Sequence, residues 1–140
     1  MDTFIWTSEY SVGVQLVDEQ HQHFFAIANK LASISREKSP DREALSNLFG
    51  ELGDYALYHL STEESFFRGF NYEDTATHVA AHDAYRDMIA NRFMNEIQKP
   101  DVDVQKLAEE MAMYSGTWLQ EHILGMDKKF TPFFNQHGFN

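Results

Sequence analysis

Four stretches of this chain repeat their apolar residues at the period of an α-helix, and each interrupts its apolar stripe with histidine. The first, about Asp18 to Ser35, sets Phe24, Ala28 and Leu31 on one stripe with His21 in line. The second, about Pro40 to Arg68, carries Leu45, Leu48, Leu52, Tyr55 and Ala56, and its face continues into His59 and Glu63. The third, about Asp74 to Gln98, begins with the i, i+4 pair His78 and His82 and runs on through Tyr85, Ile89 and Phe93. The fourth, about Val102 to Lys128, aligns Val104, Leu107, Met111, Tyr114 and Trp118, with His122 four residues beyond. Side chains three and four apart share a helix face, so every helix turns at least one imidazole inward.

Between the helices the punctuation is short. Ser39-Pro40 reads as an N-cap followed by the first helical residue. Gly69 reads as a helix stop, with polar capping residues in Asn71 to Thr75, and Lys99-Pro100-Asp101 separates the third helix from the fourth. Four long amphipathic helices with short connections predict an all-α fold, an up-down-up-down four-helix bundle. Residues 1–17 keep no helical period, and Trp6 and Val12-Gly13-Val14 mark them as an N-terminal arm packed over the bundle. The bundle is expected over 18–128. A tail over 129–140 follows, its Phe130, Phe133, Phe134 and Phe139 capping the bundle end, and 1–140 reads as a single domain.

A chain of 140 residues has room for one core of ordinary size, and twelve Phe, six Tyr and two Trp supply it, which argues against disorder. Eleven Lys and Arg against 22 Asp and Glu leave a net charge of −11, the wrong sign for nucleic acid as main partner. The same charge keeps copies apart at low salt without forbidding association, so a monomer is expected, with an oligomer as the alternative. The longest apolar run, Phe24 to Ala28, is far short of the roughly 20 residues that cross a bilayer. Met1-Asp2-Thr3-Phe4 lacks the basic and apolar regions of a secretory signal, so the expected location is cytoplasmic. With no cysteine, any metal must be held by histidine and carboxylates.

If helix directions alternate, His21, His59, His78, His82 and His122 fall at one end of the bundle. One histidine on an apolar stripe is more often a hydrogen-bonded core residue than a ligand. Five converging ones are different, because leaving them unpaired would cost several kcal/mol, and a metal satisfies them all. His23 lies about 200° round the helix from His21 and is expected in solvent, as is His137 in the polar tail. The remaining Asp and Glu read as a solvated acidic surface.

Taken in order, Asp18-x-Gln20-His21, His59-x-x-x-Glu63, His78-x-x-x-His82 and His122-x-x-x-x-Asp127 resemble the hemerythrins, most closely their single-domain bacterial form. Trp6, Tyr10, Val12-Gly13-Val14 and Trp118-Leu119 fit the same pattern. The resemblance implies two iron ions joined by an oxo or hydroxo bridge. His78, His82 and His122 would hold one iron, His21 and His59 the other, with Glu63 and Asp127 bridging them. It also implies an O2 pocket lined by Trp118, Leu119, Phe24 and Leu60. Five imidazoles, two bridging carboxylates and a single-atom bridge leave one position open, on the iron with two histidines.

The implied function is reversible O2 binding for carriage, storage or delivery, with O2 held as hydroperoxide at the open iron and no enzymatic turnover. An O2-consuming enzyme or a reductase would be the receiving partner. The alternatives are a di-iron oxidase or a peroxide- or nitric-oxide-handling enzyme, and an O2-sensing or iron-buffering protein. Against the enzyme, the sequence offers no spare acid or base beside the ligands. The spacing of the last motif carries one geometric demand. His122 and Asp127 lie about 500° apart on a regular helix, so the fourth helix must loosen or end between them, and a π-type turn around Leu124-Gly125-Met126 is expected.

Overall fold

The computed structural model describes residues 2–140, which form helices and turns with no strand among them. The bundle consists of four rods. The first two are α1 (Gln15–Ser35) and α2 (Arg42–Gly69). The third runs from α3 (Thr75–Asp87) through a π turn (Met88–Phe93) into α4 (Met94–Ile97), and the fourth is α5 (Val104–Gly125). Short 3-10 turns at Ser8–Tyr10 and Asp127–Phe130 and a final helix α6 (Thr131–Gln136) flank it. α1 packs against both α2 and α5, and α2 also meets α3.

Helix starts follow the caps. α2 begins at Arg42 rather than Pro40, because the Asp41 carboxylate accepts from the Glu43 N–H at 3.1 Å. Similarly α5 begins at Val104 rather than Val102, where Asp103 accepts from the Lys106 N–H at 3.1 Å. In each case a side-chain acceptor satisfies an N–H that the helix itself leaves unpaired. α1 starts earlier than expected, at Gln15, which puts Asp18 in its first turn. There its carboxylate accepts from the Ser11 hydroxyl at 2.6 Å and the Val12 N–H at 2.8 Å, tying the arm down. α2 stops at Gly69 as expected, but the left-handed residue that reverses the chain is Asn71, with φ of 58°.

The third rod corrects the expectation of an unbroken α-helix from Asp74 to Gln98. Its buried residues Tyr85, Ile89, Phe93 and Ile97 are all four apart, and that spacing drifts about 40° per step round a regular helix. Wider i→i+5 turns across Met88–Phe93 take up the drift and keep the four side chains on the core.

Away from the histidines the core is apolar apart from the Tyr85–Ser115 pair, with Leu31, Leu45, Leu52, Phe93 and Met111 fully buried. Each such side chain contributes about 1.5–3 kcal/mol by leaving water. The arm crosses this bundle on a close contact. Phe4 donates its N–H to Asn29 Oδ1 at 2.8 Å and accepts from Asn29 Nδ2 at 2.7 Å, and its ring lies over Gly116, where a Cβ would come within 2.1 Å of it. At the opposite end the tail closes the bundle. Phe130 and Phe134 are buried against Phe67, and Phe139 meets Phe66 edge-on at 4.5 Å.

Candidate metal centre

The six residues that helical spacing places on the inner faces, and Asp127, which the resemblance adds, meet at one buried locus. His21 comes from α1, His59 and Glu63 from α2, His78 and His82 from α3, His122 from α5, and Asp127 from the 3-10 turn beyond it. None is more than 5 % exposed. Among the described residues, every other buried polar side chain except Ser115 touches this cluster, and Ser115 accepts from the Tyr85 hydroxyl at 2.9 Å.

The cluster has two halves that share their carboxylates. Ligating atoms of His78, His82, His122, Glu63 and Asp127 all lie within 4.8 Å of one another, and so do those of His21, His59, Glu63 and Asp127. Each carboxylate points one oxygen at each half. Glu63 Oε2 faces His21 Nε2 at 3.6 Å and His59 Nε2 at 3.3 Å, while its Oε1 faces His78 at 3.4 Å and His82 at 3.3 Å. Asp127 Oδ2 faces His21 at 3.1 Å, and its Oδ1 faces His78 at 2.9 Å and His122 at 3.0 Å. His122 Nε2 also lies 3.0 Å from His78 Nε2 and 3.1 Å from His82 Nε2.

The protein leaves much of this cluster without hydrogen-bond partners. Both oxygens of Glu63 and of Asp127, and Nε2 of His21 and His59, are buried without a well-formed hydrogen bond. Burial would lift the Glu63 carboxyl, as would the neighbouring Asp127 charge, yet the imidazoles of His59, His21 and His78 hold it well below the usual carboxylate range. Asp127 is likewise pushed up by burial and brought well below that range by His122, His21 and His78. Burial disfavours the His21 and His78 imidazolium forms, but Asp127 and Glu63 overcome it and raise both to about 9. His59, with burial dominant, falls to about 4. Two anionic carboxylates under five convergent imidazole nitrogens form a donor set that cations complete, and a His and carboxylate set suits iron better than magnesium or calcium.

How Asp127 reaches the cluster corrects one expectation. No π turn forms at Leu124-Gly125-Met126. Instead α5 stays regular through Gly125, its last turn closed by the Met126 N–H on the His122 carbonyl at 2.9 Å. Met126, with φ of −126° and ψ of −51°, breaks the helix, and the 3-10 turn then swings Asp127 back onto the face of His122. The helix end also leads the chain into the tail that buries Phe130 and Phe134.

The expected pocket residues divide between the halves. Phe24 stands edge-on to His59 at 6.2 Å, and Leu60, the next residue after His59, is fully buried. Trp118 lies on the other half, stacked on His122 at 4.5 Å and on Tyr85 at 4.4 Å. Leu119 is fully buried. His23 is exposed, as expected, with its ring 4.1 Å from that of Tyr55, and His137 is exposed against Phe70.

Glu64 escaped the sequence reading, and Gln20 entered it only as part of the Asp18-x-Gln20-His21 pattern, with no role of its own. Gln20 is buried with Oε1 2.7 Å from His59 Nδ1. Glu64 is buried with Oε2 2.7 Å from His82 Nδ1, which corrects its placement on a solvated acidic surface and puts a carboxylate beside the ligand set after all. A signal was available for both. Glu64 falls on the Leu60–Phe67 stripe at i+4, and Gln20 lies between Val17 and Phe24 at i+3. Phe67 and Phe130, whose rings lie 4.7 and 6.0 Å from that of His78, were likewise not foreseen as walls of the site.

The architecture agrees with that of known proteins. Residues 12–134 match the family model described as the hemerythrin HHE cation binding domain. A bacteriohemerythrin from Clostridium acetobutylicum is 31% identical over 129 residues, covering 91% of this chain and 98% of that protein. A hemerythrin-like protein from Naegleria gruberi is 29% identical over 91% of this chain and 90% of its own length. The crystal structure of a wild-type hemerythrin superposes with a TM-score of 0.83 at 26% identity, covering 93% of this chain and 96% of that one. The chain belongs to the hemerythrin family.

Proposed function

We propose that this protein binds O2 reversibly at a non-heme di-iron centre and is a binder rather than an enzyme. The observation that carries the reading is the pair of carboxylates, each directing one oxygen to a three-imidazole half and the other to a two-imidazole half. His78, His82 and His122 would hold one iron, His21 and His59 the other, with Glu63 and Asp127 common to both. Two ferrous ions so held would together supply the two electrons that carry O2 to the peroxide level, with one fewer protein ligand on the two-histidine iron.

The chain's own residues do the rest. Phe24, Leu60 and Leu119 are fully buried apolar groups that keep water and its protons away from the cluster, and Trp118 covers His122 from the side. Water exclusion favours reversible release over hydrolytic loss of reduced oxygen. The two carboxylates offset cationic charge that an apolar interior would otherwise expel.

The test is iron quantitation and an absorption spectrum on protein reconstituted anaerobically with ferrous iron and then exposed to air. Two irons per chain and a ligand-to-iron charge-transfer band that disappears when O2 is removed are expected. Oxidation straight to a stable diferric form would overturn reversible binding in favour of oxidase, peroxide or nitric-oxide chemistry.

A further inference from the structure

Each half of the cluster rests on a different kind of partner. Behind the three-imidazole half stands Glu64, the only buried carboxylate among the described residues outside the cluster itself. Its Oε2 accepts from Arg86 Nη1 at 2.8 Å and lies 2.7 Å from His82 Nδ1. Arg68 approaches Oε1 to 4.0 Å. A carboxylate paired with guanidinium only accepts, so His82 Nδ1 is the donor to Glu64, and Nε2 is the nitrogen that faces the cluster, 3.3 Å from Glu63 Oε1. Behind the two-imidazole half stands a neutral amide, Gln20, with Oε1 2.7 Å from His59 Nδ1.

Both partners orient a ring, but only one places negative charge behind it. A carboxylate on the far nitrogen of an imidazole strengthens the near nitrogen as a metal donor, and removing such a partner costs about 10–100-fold in metal affinity. Arg86 and His82 share Glu64 Oε2, so the carboxylate is already oriented by protein groups before any cation arrives.

We propose that Glu64 is a positioning residue that tightens the His78–His82–His122 half, so that a divalent cation fills this half first and the Gln20-backed His21–His59 half second. This rests on the two-metal reading above. Three imidazoles against two already favour that order, and the share due to Glu64 is separable because Glu64→Gln keeps the shape and removes the charge.

The experiment is an anaerobic titration of metal-free full-length protein with Co2+, followed by visible absorption and calorimetry. The wild type is expected to take up two Co2+ in two steps with distinct spectra. Glu64→Gln should weaken the first step about 10–100-fold while the second keeps its place. Gln20→Glu, which puts charge behind His59, should tighten the second step and leave the first. Far-UV circular dichroism and melting of the metal-free variants verify folding, and if Glu64→Gln does not fold, Gln20→Glu decides alone. A Glu64→Gln protein that folds with both steps unmoved, or both weakened equally, overturns the proposal, as does an unchanged second step in Gln20→Glu. A wild type that takes up no Co2+ overturns the two-metal reading itself.

Discussion

The two ends of this bundle are built on opposite principles. At the end where α1 finishes and α2 begins, Leu31, Leu45 and Leu48 pack with Phe93 and Leu107, and removal from water stabilises them directly. At the other end the same four rods bury five imidazoles, Gln20, Glu63, Glu64 and Asp127. Much of that polar end is incompletely hydrogen-bonded by the protein alone. One end is complete with protein atoms, and the other is complete only with something cationic. The apolar end therefore acts as the rigid base on which an intrinsically costly constellation is held ready.

The largest test of this contrast is Glu63→Ala. It should abolish metal binding at both positions, measured by metal content after reconstitution, because both halves share that carboxylate. His59→Ala should leave one metal per chain and no O2 binding, and full metal content would count against the two-half division. At the apolar end, Leu45→Ala should cost about 2–5 kcal/mol in chemical denaturation yet leave the metal-to-protein ratio intact. Lost metal there would mean that the two ends are not separable. Gly116→Ala should cost about 1–3 kcal/mol, since its Cβ would run into the Phe4 ring, and should loosen the arm in amide exchange. His23→Ala, an exposed change beside the cluster in sequence, should move stability by no more than about 0.5 kcal/mol and leave metal content alone.

Chelation sharpens the same comparison. Removing metal should speed amide exchange around His21, His59, His78 and the Asp127 turn, while Leu45 and Leu107 keep their protection. Uniform acceleration along all four rods would show that the apolar end depends on metal too.

Much of the site was legible before folding. His21, His59, Glu63, His78, His82 and His122 each fall on an apolar stripe, and the pitch of a helix is local covalent geometry, so face and level can be read along the chain. Glu64 and Gln20 occupy equally legible stripe positions, but polar residues beside exposed neighbours look alike until a partner helix arrives. His82 and Arg86 on α3 are what turn Glu64 from a surface acid into a buried one.

The sequence by itself determined four amphipathic helices, the end of the bundle where the imidazoles gather, and the need for α5 to change course before Asp127. The first two follow from the α-helical period and from the cost of burying unpaired polar groups, and the third from the same period once the family resemblance makes Asp127 a ligand. Only the tertiary structure decided how the change is made: a helix end at Met126 with a 3-10 turn, and a π turn in the third rod instead. That choice depends on distances between helices. The Tyr85, Ile89, Phe93 and Ile97 side chains must all meet the core, and Asp127 must reach His21 and His78 across it, conditions that no single segment contains.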